Sequence, residues 1–130
     1  MQQTFGKKNR LASKIEIDTL FANKNVLRSY PLTIYFRFFE TTNPDIKFVT
    51  SAPKRIFKHA HDRNRIKRLM REVIRKNKLS LTQFLEKNNI GIHIFAIYSS
   101  DIEVQYENLE KSMKYLFKKI ENEVITKTSI

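Results

Sequence analysis

The chain has 130 residues, the size of one domain, and 41% of them are hydrophobic, including ten Phe and five Tyr, which excludes a globally disordered polymer. Lys and Arg outnumber Asp and Glu by 25 to 13, and the formal net charge of +12 implies a polyanionic partner, either nucleic acid or an anionic membrane surface. Zero Cys excludes disulfides and thiolate metal sites, no apolar run has the length of a spanning helix, and "MQQTFGKKNRL" lacks the apolar segment of a secretory signal, so a soluble cytoplasmic protein is expected.

Residues 1–9 are polar and basic and read as a flexible tail ahead of a single domain over 10–122. "SKIEIDTLFANK" predicts a short helix. Ser13 and Glu16 fit a capping box, and Ile17, Leu20 and Phe21 share one face. "LTIYFRFF", Leu32–Phe39, is aromatic and β-branched and predicts a strand. Its alternation sets Leu32, Ile34, Phe36 and Phe38 on one face and Thr33, Tyr35, Arg37 and Phe39 on the other. "TTNPD" is a turn, and Ile46–Ala52 reads as a second strand antiparallel to the first.

A basic connector, "PKRIFKHAH", leads into a helix opening at "DRNRIKRLMREVIRK", with Asp62 as the expected N-cap. Polar residues near Lys78–Ser80 suggest a break before a further helix ending at Asn88. "IGIHIFAIY", Ile90–Tyr98, is apolar on both faces and predicts an interior strand. A last helix over about Glu103–Asn122 carries Leu109, Met113, Leu116, Phe117 and Ile120 in one stripe, with fraying expected over 123–130. The expected class is α+β, a single-domain α/β sandwich in the order α-β-β-α-(α)-β-α.

The helix from Asp62 holds the densest charge. On a helical wheel Ile66, Leu69, Met70, Val73 and Ile74 form an apolar stripe, whereas Asn64, Arg68, Arg71 and Arg75 fall on the opposite side, flanked by Arg65 and Glu72. From Lys54 to Lys78 there are eleven Lys or Arg and two acids, a net +9, so the remainder of the chain supplies only +3. The basic charge is therefore a patch. Arg63 and Arg65 moreover stand in the first turn, where the helix macrodipole disfavours a cation by roughly 0.3–1 kcal/mol. An external anion meeting both the arginine forks and the free N–H groups of the helix start would resolve that conflict.

"RNRIKRLMREVIR", Arg63–Arg75, resembles the RNR motif of the bacterial ribonuclease P protein component. "KNRL" with Leu20–Phe21 resembles that family's opening helix, and Lys54–Arg55 resembles its basic pair after the second strand. The connector "IFKHAHD" departs from the family pattern: it is one residue longer and lacks glycine, and Ile17 stands where the family has an aromatic residue. The resemblance covers roughly residues 8–120 and implies a left-handed β-α-β crossover around the basic helix. It also implies a function: the protein subunit of a ribonucleoprotein that removes 5′ leaders from precursor tRNA, with hydrolysis performed by the RNA subunit using Mg²⁺ and no catalytic or metal-binding residue in the protein. The implied RNA-facing set is Lys54, Arg55, Arg63, Asn64, Arg65, Lys67, Arg68, Arg71 and Arg75, joined by Lys58 of the basic connector. The implied leader cleft is Ile17, Phe21 and Tyr35, for which ordinary core packing of Phe21 and Tyr35 is the competing reading.

Other classes fit the residues less well. His59 and His61 beside Asp62 suggest acid–base work by a protein-only nuclease, yet no carboxylate cluster accompanies them. A ribosomal or other structural RNA-binding protein shares the composition but not the motif. Nothing resembles the paired helices of a DNA reader. A membrane-surface helix needs its apolar stripe exposed, whereas here the core requires it.

Overall fold

The structure, a computed structural model, describes residues 14–22 and 25–128. Its elements are α1 (Lys14–Ala22), β1 (Asn25–Ser29), β2 (Leu32–Glu40), β3 (Ile46–Ser51), α2 (Ala60–Asn88), β4 (Ile90–Tyr98) and α3 (Tyr106–Thr128). The strands form a four-stranded sheet in the order β1-β2-β4-β3. β2 pairs antiparallel with β4, and β3 pairs parallel with β4. Thus β3 runs opposite to β2, as the sequence suggests, but β4 is inserted between them. The path β3–α2–β4 is a β-α-β crossover between parallel neighbours.

β4 is interior for the reason its sequence indicates: every residue from Ile90 to Ile94 is buried. The helix-side face of the sheet is built from Leu32, Ile34 and Phe36 of β2, Ile46 and Phe48 of β3, and Ile90, Ile92, Ile94, Ala96 and Tyr98 of β4. Against it pack Ile66, Met70, Val73 and Ile74 of α2 and Leu109, Met113, Leu116, Phe117 and Ile120 of α3. Burying such a side chain contributes roughly 1.5–3 kcal/mol, so this stripe fixes which side of α2 turns outward. α1 packs on β2 and β4. Its Leu20 is fully buried yet lies outside that core cluster, which places α1 on the opposite face.

Four local expectations change. β1 is an additional edge strand, joined to β2 through Tyr30–Pro31. With only Val26 and Leu27 apolar it carries no alternation, and its strand conformation comes from pairing with β2. α2 is one helix without a break at Lys78–Ser80, because Leu81 and Leu85 prolong the buried stripe and Asn77 Nδ2 donates to the Val73 carbonyl at 2.8 Å and to Glu110 at 2.9 Å. It ends at Asn89, whose φ of 55° and ψ of 49° are left-handed, a conformation asparagine tolerates. α3 runs on to Thr128, since Val124 continues the buried stripe and Lys127 Nζ donates to Asn25 Oδ1 at 3.1 Å. Finally, the N-cap of α2 is His59, with no side-chain cap, and Asp62 lies in the first turn. The capping box at Ser13 and Glu16 lies outside the described residues.

Candidate nucleic-acid interface

The connector and the start of α2 are held by specific contacts. After β3, the N–H groups of Ile56 and Phe57 donate to the Pro53 carbonyl at 3.1 and 3.0 Å, closing a turn that leaves Lys54, Arg55 and Lys58 exposed. Phe57 packs on Tyr98, ring centroids 5.6 Å apart. The extra connector residue is thereby accommodated without glycine. Tyr98 also organises the β4–α3 loop: its hydroxyl donates to the Ile102 carbonyl at 2.6 Å and accepts from Val104 N–H at 2.9 Å. Burial of that phenol pushes its pKa above the ordinary value.

This framework aims two arginines. Arg63 Nη1 donates to the carbonyls of Phe57 at 2.8 Å and Lys58 at 3.1 Å, tying helix to connector. Arg65 forms a bidentate pair with Glu103, at 3.0 Å from Nε and 2.9 Å from Nη2, and lies 3.4 Å from Asp62. The expectation that the first-turn arginines lack internal compensation is therefore corrected: each has a partner within the fold, and Glu103 is brought to Arg65 from 38 residues away. Arg75 is likewise paired bidentately with Glu72, and its guanidinium holds the Glu72 carboxyl below the usual carboxylate range.

Magnitudes decide what these pairs do. A hydrogen bond from a charged donor contributes about 1.5–3 kcal/mol and exceeds the dipole cost of roughly 0.3–1 kcal/mol at Arg63. The half-exposed Arg65–Glu103 pair is worth only about 0.2–1 kcal/mol, which roughly cancels that cost. Arg63→Ala is accordingly expected to destabilise the isolated protein by about 1 kcal/mol, and Arg65→Ala to leave it nearly unchanged. Paired thermal melts check this, and stabilisation in both variants would return the first-turn arginines to the uncompensated state suggested by sequence.

The remaining cations face outward. Asn64, Arg68 and Arg71 are exposed and Lys67 is half-buried. Arg68 and Arg71 make no ion pair among the described residues. Together with Lys54, Arg55 and Lys58 they give a basic surface rich in planar guanidinium forks suited to phosphate. His59 and His61 are exposed and stacked, centroids 5.9 Å apart, with His61 Nε2 3.3 Å from Asp62. No group of three or more potential metal ligands occurs among the described residues.

The other face of the sheet carries the second set. Ile17 on α1 and Tyr35 on β2 are both half-buried, and the side chain of Phe21 lies outside the described residues. Tyr35 stands opposite Phe95 of β4. Along the same face, Arg37 stands opposite His93, with Arg37 Nη1 3.4 Å from His93 Nδ1 and the guanidinium carbon 4.6 Å from the Phe39 ring centroid. Glu103, Arg37, Phe39 and His93 were not legible as site residues, because their neighbours come from strand order and from a distant loop. The only local sign was an arginine sharing the alternation of Tyr35.

The family described as Ribonuclease P matches residues 5–121. The ribonuclease P protein component of Porphyromonas gingivalis is 33% identical over 114 residues, covering 85% of this chain and 83% of that one. The corresponding protein of Borrelia turicatae is 30% identical over 104 residues, covering 80% and 84%. In fold, the chain is similar to the ribonuclease P protein of Staphylococcus aureus, with a TM-score of 0.64 at 16% identity over 88% of this chain and 96% of that one. It is also similar to that of Thermotoga maritima, with a TM-score of 0.63 at 18% identity over 85% and 96%. The motif that opens α2, the sheet it crosses and these relatives agree, and the chain belongs to the ribonuclease P protein component family.

Proposed function

We propose that this chain is the protein subunit of ribonuclease P, that it binds the catalytic RNA and the 5′ leader of precursor tRNA, and that it assists removal of the leader to give the mature tRNA 5′ end. The observation that carries the reading is the outward basic surface from Lys54 to Arg71, set on a helix whose other side is locked into the core. Lys54, Arg55, Lys58, Asn64, Lys67, Arg68 and Arg71 meet the phosphates of the RNA subunit. Arg63, Arg65 and Arg75 contribute the guanidinium edges that their internal partners leave open, since each guanidinium has five donors. Ile17, Phe21 and Tyr35 receive the unpaired leader, where an aromatic face stacks on a base without demanding a sequence.

Hydrolysis resides in the RNA subunit, which supplies the Mg²⁺ chemistry. The acids nearest the basic surface support this division of labour, for Asp62, Glu72 and Glu103 each face an arginine. The protein lowers phosphate repulsion between RNA subunit and substrate. No helix among the described residues is long and apolar enough to cross a membrane, which is consistent with action beside the cytoplasmic tRNA pool.

Reconstitution tests this. Nuclease-free protein alone is expected to leave precursor tRNA intact, and the protein with its RNA subunit is expected to release the leader at lower Mg²⁺ than the RNA alone requires. Sustained site-specific cleavage by the protein without RNA would overturn the reading and direct attention to His59 and His61.

A further inference from the structure

Rows of side chains cross the open face of the sheet. One row is Val26, Tyr35, Phe95 and Val49, contributed by β1, β2, β4 and β3. The next is Arg37, His93 and Lys47, from β2, β4 and β3. Beyond it Phe39 stands opposite Gly91. Successive rows on one face are two residues apart, roughly 6.6–6.8 Å. An apolar and aromatic row is thus followed by one made of a guanidinium, an imidazole and an ammonium.

The middle row is built, not incidental. Phe39 lies over Gly91 so closely that a Cβ there would come within 2.6 Å of its ring, so glycine seats the ring against the strand. The edge of that ring meets His93, centroids 5.1 Å apart at 74°, and His93 is only 7% exposed. Arg37 is laid over the seated ring and held toward His93 Nδ1. Its guanidinium is half-buried, makes no ion pair among the described residues and is fixed in direction. Basic groups directly opposite one another on a sheet are unfavourable by themselves, and a row of them calls for an anion.

We infer that Arg37, oriented by Phe39 and His93, is a phosphate contact for single-stranded RNA, gripping the leader backbone one row along the sheet from the base stacked at Tyr35. The inference rests on the proposed leader cleft and extends it: aromatic platform and cationic row together match what sequence-tolerant single-strand binding requires. The occupant is single-stranded RNA because the cations stand beside an aromatic platform on a flat sheet face, whereas a folded tRNA body presents its phosphates on a rigid convex surface.

The test uses holoenzyme reconstituted from the protein and its RNA subunit, with mature tRNA and precursor tRNAs whose leaders grow one nucleotide at a time. Wild-type affinity is expected to rise in steps as the leader reaches first Tyr35 and then Arg37. Arg37→Gln is expected to weaken binding of the long-leader precursor by about five- to tenfold and to flatten its log K against log salt slope by about 0.7. It is expected to leave mature tRNA and the shortest leaders unchanged, and Arg37→Lys is expected to restore most of the slope. Two results would overturn the inference while sparing the cleft: Tyr35→Ala weakening leader binding while Arg37→Gln does not, or Arg37→Gln weakening mature tRNA equally. If wild-type holoenzyme does not distinguish leader-bearing from mature tRNA, the cleft itself falls. A lowered melting temperature with a leader-independent loss would assign Arg37 a packing role only.

Discussion

Replacing Arg68 and Arg71 together by alanine is expected to weaken binding of the catalytic RNA by on the order of a hundredfold at low salt while leaving the fold intact. Both side chains are exposed on α2, one turn apart, on the side turned away from Ile66, Met70, Val73 and Ile74. Solvent-side substitutions usually change stability by within about 0.5 kcal/mol. A charge-assisted contact to phosphate is worth about 1.5 kcal/mol or more, close to tenfold in affinity for each arginine. If each neutralises one phosphate, the slope of log K against log salt also flattens by about 0.7–0.9 per residue lost. Lys114 is exposed on α3 and serves as the control, for Lys114→Ala removes one positive charge without touching the patch. A salt titration of RNA binding for the double variant, Lys114→Ala and wild type, with thermal melts alongside, separates the outcomes. Equal slopes in all three would reduce α2 to an ordinary solvated face and remove the central support for the proposed function.

Much of this arrangement was legible in the sequence, for physical reasons that can be named. The stripe from Ile66 to Ile74 has helical period, and that fixes both the buried side of α2 and the outward direction of Arg68 and Arg71. β4 announces its interior position by being apolar on both faces, as a strand between two neighbours must be. The alternation of β2 correctly separates Leu32, Ile34 and Phe36 from Thr33, Tyr35 and Arg37. These are local patterns, and local patterns survive folding.

What was not legible depends on partners far apart in the chain. Arg65 appears destitute of counter-charge until the β4–α3 loop, pinned by the Tyr98 hydroxyl, delivers Glu103. Arg63 appears to oppose its own helix dipole until its guanidinium is seen bonded to the connector carbonyls. β1 is invisible because its strand conformation is imposed by β2 and not by any alternation of its own. The row of Arg37, His93 and Lys47 exists only once β4 is known to lie between β2 and β3. Internal pairing also ranks the basic residues. Arg63, Arg65 and Arg75 combine structural and binding roles, so their removal confounds the two, and Arg68 and Arg71 are the cleaner probes.

Tyr35→Ala is expected to weaken holoenzyme binding of leader-bearing precursor tRNA by about 1–3 kcal/mol, the range for losing one base stacked on an aromatic ring. Tyr35 projects from β2 on the face opposite the main core, and α1, which packs on β2 and β4, forms the adjoining wall. Its partial exposure is what a stacking platform needs, whereas its neighbours Ile34 and Phe36 are 0% and 2% exposed and belong to the core. Those neighbours provide the contrast. Phe36→Ala should lose roughly 3–5 kcal/mol of folding stability through the cavity it leaves, with binding impaired for every ligand alike. Tyr35→Ala should lower the melting temperature far less and leave affinity for mature tRNA and for the RNA subunit unchanged. Tyr35→Phe retains the ring and should bind the leader nearly as wild type, which separates stacking from any bond made by the hydroxyl. Binding measurements on precursor and mature tRNA for the three variants, with thermal melts, decide the matter. An equal loss on both tRNAs, or a collapse of the melting temperature like that of Phe36→Ala, would make Tyr35 a core residue and close the cleft as a leader site.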